Sequence, residues 1–305
     1  MTKKITAFAP ATCGNVCVGY DILGLCYSGV GDKVTVQKTA KPEVIIESIT
    51  GEDSLSLDPT KNTAGVVLLE FIKKESLSFG FSIEIEKGIS LGSGMGGSAA
   101  SAVAALVAAN TFLETPISKN KLLEYSLKGE ELACGHGHAD NTAPCLYGGL
   151  VLLSNGEVVE LPFPEFIQIL LIHPHLTVNT KDARSVLKPE FKLEEYVKQS
   201  QNLAGFIAGL YKNDPSLIKN SFEDVLVEPL RAKLTTGFTE CQGLAKAEGA
   251  LGYALSGSGP SQIALCESRE QAENLRDKIT SFYDSKGIET DSYIGSVNNE
   301  GAKVL

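Results

Sequence analysis

A glycine-rich segment, residues 88–97, constrains the fold of this chain more than any other stretch, because five of its ten residues are glycine. It follows residues 81–86, where apolar and polar side chains alternate as in a strand with one buried face. It precedes residues 98–110, which contain seven alanines and no helix breaker and therefore predict a helix. A glycine loop at a helix N-terminus offers backbone N–H groups at the positive end of the helix dipole. The segment therefore predicts a phosphate-binding loop.

Two familiar glycine motifs explain this loop less well. A Walker loop requires Gly-Lys-Ser or Gly-Lys-Thr, and the chain contains no Gly-Lys dipeptide. Gly92, Gly94 and Gly97 match the dinucleotide pattern G-x-G-x-x-G. However, Glu84 and Glu86 would lie on one face of the preceding strand, whereas a central parallel strand is apolar on both faces. A phosphate loop of another family and a purely structural glycine turn are the interpretations left open.

Length and composition limit the class of protein. A chain of 305 residues corresponds to roughly two domains. The 37 acidic and 27 basic residues give a net charge of −10, which argues against a nucleic-acid partner. The N-terminal residues lack the apolar stretch of a signal peptide, and no apolar run approaches the length of about 18 residues needed to cross a membrane. With seven scattered cysteines and no C-x-x-C pair, the sequence predicts a cytoplasmic protein with reduced, buried thiols.

Strand-like and helical segments follow one another without a regular βαβ repeat, which predicts an α+β fold. The pattern changes near residues 161–165, so we expect one domain over residues 1–163 and a second over residues 164–305. An Asn155-Gly156 pair predicts a hairpin turn. In the second part, the spacing predicts helices over residues 193–212 and 215–228.

Three motifs in order along the chain carry a family resemblance. The first consists of Pro10-Ala11-Thr12, Asn15, Gly19, Asp21 and Leu23-Gly24. The second is the segment 91–101, and the third is the segment 252–261, Gly-Tyr-Ala-Leu-Ser-Gly-Ser-Gly-Pro-Ser. Together they resemble the GHMP kinases, a family that includes galactokinase, homoserine kinase, mevalonate kinase and phosphomevalonate kinase. Within the family, the first motif together with His138-Ala139-Asp140-Asn141 and Ala183-Arg184 is similar to the branch that acts on L-homoserine.

The resemblance implies both a fold and a reaction. The expected architecture is a ribosomal-S5-like N-terminal domain followed by a ferredoxin-like C-terminal domain. ATP is expected at the glycine loop with Mg²⁺, and the small-molecule substrate, L-homoserine, in the cleft between the domains. The expected reaction transfers the γ-phosphoryl group of ATP to the side-chain hydroxyl of L-homoserine. A homodimer is expected from the family only.

The resemblance also assigns nucleotide and metal ligands. The nucleotide-binding residues it implies are Ser90, Leu91, Gly92, Ser93, Gly94, Met95, Gly96, Gly97, Ser98, Ala99 and Ala100, with Asn62 near the adenine. Ser98 and Glu130 are the implied ligands of Mg²⁺, which prefers oxygen ligands and takes few of them from the protein. Without the resemblance, a glutamate such as Glu130 is an ordinary solvated helix residue.

A second group of residues is assigned to the substrate. L-Homoserine is a zwitterion, so Arg184 and Arg231 are expected to bind its carboxylate and Asp21 its ammonium group. Asn15 and His138 are expected to orient the hydroxyl end. The alternatives are a surface location for Arg231 and a structural loop histidine at position 138.

Asn141 occupies the position at which the related mevalonate and galactose kinases place an aspartate as base. An amide cannot accept a proton from the substrate hydroxyl. With Ser98 and Glu130, Asn141 completes the expected catalytic residues. The hypothesis is that Asn141 orients the hydroxyl, which loses its proton late to an oxygen of the γ-phosphate.

Three other interpretations are open at this stage. The cluster Cys134, His136, His138, Asp140 and Cys145 raises the possibility of zinc, although its spacing does not match common zinc motifs. A GHMP kinase for another hydroxyl substrate, such as mevalonate, shikimate or a sugar, would share the glycine loop. A non-catalytic binding protein on this fold would not need Ser98 and Glu130.

Overall fold

In the computed structural model, the protein contains two β-sheets with helices packed against them. The structure describes residues 3–134, 139–188 and 190–305. The strands are β1 (Lys4–Gly14), β2 (Leu23–Thr39), β3 (Val44–Thr50), β4 (Gly80–Glu86), β5 (Leu150–Ser154), β6 (Glu157–Leu161), β7 (Gln168–Pro174), β8 (Gly252–Leu255), β9 (Gln262–Cys266), β10 (Thr290–Gly295) and β11 (Lys303–Val304). The helices are α1 (Thr63–Lys74), α2 (Gly97–Asn110), α3 (Lys119–Cys134), α4 (Ala139–Tyr147), α5 (Thr180–Ser185), α6 (Leu193–Lys212), α7 (Pro215–Ser221), α8 (Glu228–Arg231), α9 (Phe238–Ala247) and α10 (Arg269–Asp284).

The first sheet has the order β11-β1-β2-β4-β3, and β5 and β6 extend it from β2. The β3–β4 pair is parallel and is connected through α1, whereas the other pairs are antiparallel. The alternation in β4 buries Phe81, Ile83 and Ile85, as the sequence predicts. The alanines of α2 are buried, and their small side chains allow this helix to lie close to β1 and β2. The predicted strand, loop and helix around the glycine segment are therefore present.

The second sheet has the order β10-β7-β9-β8 and is antiparallel. Along the chain its elements follow the sequence strand, helices, strand, strand, helix, strand, which is the ferredoxin-like arrangement expected for the C-terminal part. Leu275, Ile279 and Tyr283 on α10 are fully buried against this sheet. The α+β fold class predicted from the sequence is thus confirmed.

Some elements depart from the sequence prediction. The helix predicted over residues 193–212 is present as α6, but the one predicted over residues 215–228 is wrong, because α7 and α8 replace it. The carboxylate of Asp224 explains the break, because it accepts hydrogen bonds from the N–H groups of Leu226, Val227 and Glu228 and so stabilises a turn between α7 and α8. The boundary after residue 163 stays a prediction; β11, near the C-terminus, pairs with β1 in the first sheet.

Cysteines are buried in both parts of the molecule. Free, buried thiols belong to Cys13, Cys17, Cys26, Cys145, Cys241 and Cys266. Burial raises the pKa of Cys13 to about 11, which keeps this thiol protonated and unreactive at neutral pH. Among the helices that the structure describes, none has the length and apolarity of a membrane span.

Candidate active site

The glycine loop between β4 and α2 has a backbone that only glycine adopts without strain. Gly92, Gly94 and Gly96 have φ angles of +64°, +79° and +70°. A Cβ atom at Gly94 would lie only 2.5 Å from the Ser256 carbonyl oxygen and 2.6 Å from that of Gly259. The glycines therefore serve both the turn and its close contact with the third motif.

That third motif follows β8 and is hydrogen-bonded to the glycine loop. The Ser256 hydroxyl donates to the Gly94 carbonyl oxygen at 2.8 Å, and the Ser261 N–H donates to the Ser93 carbonyl oxygen at 3.0 Å. The Gly257 N–H donates to the Gly14 carbonyl oxygen at 3.2 Å, which brings the first motif to the same place. Three segments far apart in the sequence thus meet at one cleft.

A cleft that is open to solvent lies where these segments meet. It lies at the N-terminal end of α2, where free N–H groups favour an anion. Its lining residues are Asn15, Asp21, Ser90, Leu91, Gly92, Ser93, Gly94, Gly96, Gly97, Ser98, Glu130, Asp140, Asn141, Arg184, Arg231, Gly257 and Ser258. Residues expected to bind the nucleotide and residues expected to bind the substrate therefore share one cleft.

Four residues expected at the nucleotide lie outside this lining. Met95, Ala99 and Ala100 are buried. Asn62 is the N-cap of α1, where its side chain accepts from the Ala64 N–H at 3.0 Å and donates to the Ser56 carbonyl oxygen at 3.2 Å. A contact of Asn62 with adenine stays a prediction.

Two buried polar atoms at the cleft are available for a ligand. Within residues 3–134, 139–188 and 190–305, the Ser93 hydroxyl and Nε of Arg184 are buried and find no hydrogen-bond partner. A buried polar group without a partner costs about 1–3 kcal/mol, and a bound ligand that pairs with it removes this penalty. Their positions beside the glycine loop and Asp21 indicate where polar atoms of a ligand would bind.

Arg184 on α5 forms a two-bonded ion pair with Asp21. Its Nη2 lies 2.9 Å from Oδ1 of Asp21, and its Nη1 lies 3.3 Å from Oδ2. The two side chains are each about a quarter exposed, so solvent can enter and a ligand can replace either partner. The pair brings opposite charges side by side at the cleft.

Arg231, at the end of α8, is buried, with 4% of its surface exposed. The alternative that it is a surface arginine is therefore wrong. Its Nε donates to the Ala183 carbonyl oxygen at 3.1 Å, and its Nη1 donates to the Gly257 carbonyl oxygen at 3.1 Å. Its guanidinium also lies 5.0 Å from the centre of the Tyr20 ring. These contacts fix the guanidinium but leave further N–H groups for an anion, because arginine carries five.

Asn15 lies in an unusual left-handed turn. Asn15, Val16 and Cys17 have φ angles of +68°, +44° and +60°, a region that non-glycine residues rarely enter. The Asn15 side chain holds this turn, because its Nδ2 donates to the Gly257 carbonyl oxygen and its Oδ1 accepts from the Asp21 N–H, each at 3.0 Å. Strain of this kind persists where surrounding contacts enforce it, commonly at functional sites.

The side chain of Asn141, on α4, is hydrogen-bonded to Thr12 of the first motif. The Thr12 hydroxyl donates to Oδ1 of Asn141 at 2.9 Å, and the Thr12 N–H donates to the Met95 carbonyl oxygen at 3.0 Å. A Cβ atom at Gly96 would lie 2.1 Å from the Thr12 hydroxyl oxygen. Glycine at position 96 therefore allows Thr12 to connect the loop with Asn141.

Glu130 and Ser98 face the same cleft from α3 and α2. Glu130 is only 6% exposed. The alternative that it is an ordinary solvated helix residue is therefore wrong. A carboxylate and a hydroxyl beside a phosphate loop are the oxygen donors that suit Mg²⁺. The two residues thus fit a magnesium ion by their chemistry.

Asp140 is a cleft residue that the sequence indicated only as a candidate zinc ligand, whereas its neighbour Asn141 was predicted at the substrate site. Burial and the nearby negative charge of Asp21 raise the pKa of Asp140 to about 7. A Cβ atom at Gly14 would lie 2.2 Å from Oδ2 of Asp140, so the glycine makes room for this carboxyl group. Only its position beside Asn141 in the motif could have indicated it.

Two predictions fall on residues 135–138. His138, expected to orient the substrate hydroxyl, lies outside the described residues. The zinc hypothesis depends on His136 and His138, which also lie there, and on the undescribed side chain of Cys134. Within the described part of the chain, no three His, Cys, Asp or Glu residues are grouped to hold a metal ion.

The cleft combines an anion site at a glycine loop with a charged site for a small polar molecule, which is the arrangement of a small-molecule kinase. Comparison with known families agrees: residues 62–149 match the N-terminal domain and residues 206–285 the C-terminal domain of the GHMP kinases. The chain belongs to the GHMP kinase family.

Several relatives match nearly the whole chain. The homoserine kinase of Xanthomonas campestris pv. campestris (strain B100) is 42% identical over 304 residues, which cover 99% of this chain and 94% of that protein. The homoserine kinase of Chloroherpeton thalassium (strain ATCC 35110 / GB-78) is 40% identical over 318 residues, and the match covers 99% of this chain and 100% of that protein. The crystal structure of homoserine kinase from Cytophaga hutchinsonii ATCC 33406 has a TM-score of 0.96 and 43% identity, covering 100% of this chain and 98% of that one.

Proposed function

We propose that this protein is a homoserine kinase, which transfers the γ-phosphoryl group of ATP to the side-chain hydroxyl of L-homoserine in threonine biosynthesis. The observation that carries the proposal is the ion pair of Asp21 with Arg184, beside Arg231, in the cleft bordered by the glycine loop. Full-length similarity to relatives named homoserine kinase supports it.

The charges in the cleft suit an amino acid better than an uncharged alcohol. A zwitterion can offer its carboxylate to Arg184 and Arg231 while its ammonium group approaches Asp21, so no buried charge loses its partner. A sugar has no charge to replace the ion pair, and mevalonate has no cation for Asp21. The substrate class therefore follows from the two arginines and the aspartate together.

The nucleotide side of the reaction rests on the glycine loop. We infer that N–H groups of residues 92–97 and the N-terminus of α2 hold the phosphates of ATP. Ser98 and Glu130 would hold Mg²⁺, which when bound neutralises phosphate charge during phosphoryl transfer. The chain itself supplies position: it places the substrate hydroxyl in line with the γ-phosphate and limits access of water.

In the transfer, a bond forms between the hydroxyl oxygen of L-homoserine and the γ-phosphorus. The bond from that phosphorus to the bridging oxygen breaks, and ADP leaves with the bonding electrons. Asn141 cannot take the hydroxyl proton, so the proton passes late to an oxygen of the transferred phosphoryl group. With Oδ1 held by Thr12, Nδ2 of Asn141 is the group available to orient the hydroxyl oxygen.

Asn141→Ala tests this role of the amide. We expect kcat to fall by about tenfold, the effect of losing one neutral orienting hydrogen bond, with little change in the KM for ATP. Steady-state kinetics with both substrates varied measures the two constants. A loss of all activity in Asn141→Ala, combined with an Asn141→Asp variant more active than the unmodified protein, would show that a base acts at this position.

The raised pKa of Asp140 predicts a pH-dependent affinity for L-homoserine. Above about pH 7 the Asp140 carboxyl is ionised and adds a second negative charge near the expected ammonium position. The KM for L-homoserine should therefore fall by about tenfold from pH 6 to pH 8, since each pH unit below the pKa lowers the ionised fraction about tenfold. Asp140→Asn should remove this dependence. An unchanged pH profile in that variant contradicts the assignment.

A coupled assay of ADP release with several hydroxyl substrates tests the proposed function. We expect turnover with L-homoserine and none above background with mevalonate, shikimate or galactose. Turnover of one of these and not of L-homoserine would assign another GHMP kinase activity. Nucleotide binding without turnover of any hydroxyl substrate would identify a non-catalytic binding protein.

A further inference from the structure

A buried ion pair lies beneath the glycine loop, outside the residues that line the cleft. Lys87, directly after β4, pairs with Asp32 on β2, and their side chains are 2% and 0% exposed. Lys87 Nζ also donates to the Gly97 carbonyl oxygen and to the Ser101 hydroxyl, each at 2.9 Å. Neither charged residue is among the ligands expected for ATP, Mg²⁺ or L-homoserine.

The Asp32 carboxylate connects both ends of the glycine loop. At the entry, its Oδ1 accepts from the N–H groups of Gly88 at 3.0 Å and Ile89 at 3.2 Å. At the exit, its Oδ2 accepts from the Ser101 hydroxyl, on the first turns of α2, at 2.6 Å. Lys87 completes the exit side through Gly97, the first residue of α2.

The Asp32–Lys87 pair, which we call the anchor, limits the conformational freedom of the glycine loop. Glycines carry no side chains that could fix them by packing, and they lose more backbone freedom on ordering than other residues. A loop that binds phosphates through N–H groups needs those groups in place before the ligand arrives. Charge-assisted hydrogen bonds are among the stronger ones, so those that Asp32 and Lys87 make at the two ends of the loop hold it in one conformation.

We propose that Asp32 and Lys87 are positioning residues that preset the glycine loop for the phosphates of the nucleotide. They act through Gly88, Ile89 and Gly97 and touch neither substrate. Their loss therefore weakens nucleotide binding and leaves L-homoserine recognition, which depends on Arg184 and Arg231, nearly unchanged. The inference deepens the proposed function and rests on it for the identity of the nucleotide as ATP.

Lys87→Met and Asp32→Asn in the full chain test this proposal by calorimetric binding of Mg·ADP. We expect the Kd to rise by at least about tenfold in each, because small misplacements of binding groups have effects of this size or larger. The KM for ATP should rise in parallel, and the KM for L-homoserine at saturating ATP should stay within about twofold. The Asp32→Asn/Lys87→Met double variant should lose little more than either single variant, since the two residues act as one unit.

Two controls separate positioning from general stability. Lys33→Met removes an exposed ion pair with Glu86 between the same two strands, next to Asp32 and Lys87, and should leave the Kd unchanged. Leu275→Ala creates a cavity in the distant α10 core and should lower Tm without changing the Kd. Hydrogen exchange of the N–H groups of residues 91–97 should accelerate in Lys87→Met and in neither control.

A folded Lys87→Met variant with a Kd within about twofold of the unmodified protein overturns the proposal. If both ion-pair variants fail to fold, Ser101→Ala decides, because it removes one hydroxyl from the anchor and keeps both charges. It should weaken Mg·ADP binding by about threefold, and unchanged binding overturns the proposal. If the unmodified protein binds Mg·ADP but does not turn over L-homoserine, the proposed function fails while the positioning role can stand on the Kd values alone.

Discussion

Arg231→Met will lower kcat/KM for L-homoserine by about 10³-fold, whereas binding of Mg·ADP will change by less than about threefold. Arg231 is buried, and its guanidinium is oriented by the carbonyl oxygens of Ala183 and Gly257, so its remaining N–H groups are preset for a carboxylate. Removal of one partner of a buried charge pair costs about 2–5 kcal/mol. A 10³-fold loss corresponds to about 4 kcal/mol, which lies within that range. Steady-state kinetics with L-homoserine and calorimetry with Mg·ADP measure the two effects.

Arg269→Met is the matched control for that experiment. Arg269 is two-thirds exposed on α10 and pairs with Glu273 of the same helix, so its loss should leave kcat/KM unchanged. Arg231→Lys keeps the charge but not the planar set of donors, and should recover only a small part of the activity. An Arg231→Met variant with a KM for L-homoserine near that of the unmodified protein would remove Arg231 from the substrate site.

The glycine loop could be predicted from the sequence because its signals are local. The alternation in residues 81–86, the glycines of residues 88–97 and the alanines of α2 each specify their own conformation from neighbouring residues. Glycine permits the left-handed φ angles of Gly92, Gly94 and Gly96, although the composition does not specify which glycines adopt them.

Helix α4 could not be predicted in this way, since Pro144 lies inside it and ordinarily ends a helix. Tertiary contact holds it instead: a Cβ atom at Gly24 would lie 2.1 Å from the Asp140 carbonyl oxygen and 2.7 Å from Cγ of Pro144. Helix α4 can lie this close to β2 because Gly24, more than 100 residues before Pro144 in the sequence, has no side chain. Local propensity contains no information on such a contact.

The site shows the same division. The motifs indicated Asp21, Arg184 and Asn141, because a family resemblance carries residue identities directly. It did not indicate the anchor formed by Asp32 and Lys87, which pairs residues 55 positions apart. A lysine after a strand and an aspartate within one are ordinary surface residues in sequence. Only their burial reveals that they share a position beneath the loop.

Glu130→Gln will lower kcat by about 10²–10³-fold, because the variant keeps the shape of the side chain but removes the charge expected to hold Mg²⁺. Raising the Mg²⁺ concentration should restore part of the activity, and titrations of kcat against Mg²⁺ measure the shift. Glu131→Gln is the control: Glu131 is the next residue of α3, half exposed and paired with Lys128 at 2.7 Å, so its loss should leave kcat unchanged. Equal Mg²⁺ dependence in the two variants would mean that Glu130 does not hold the ion.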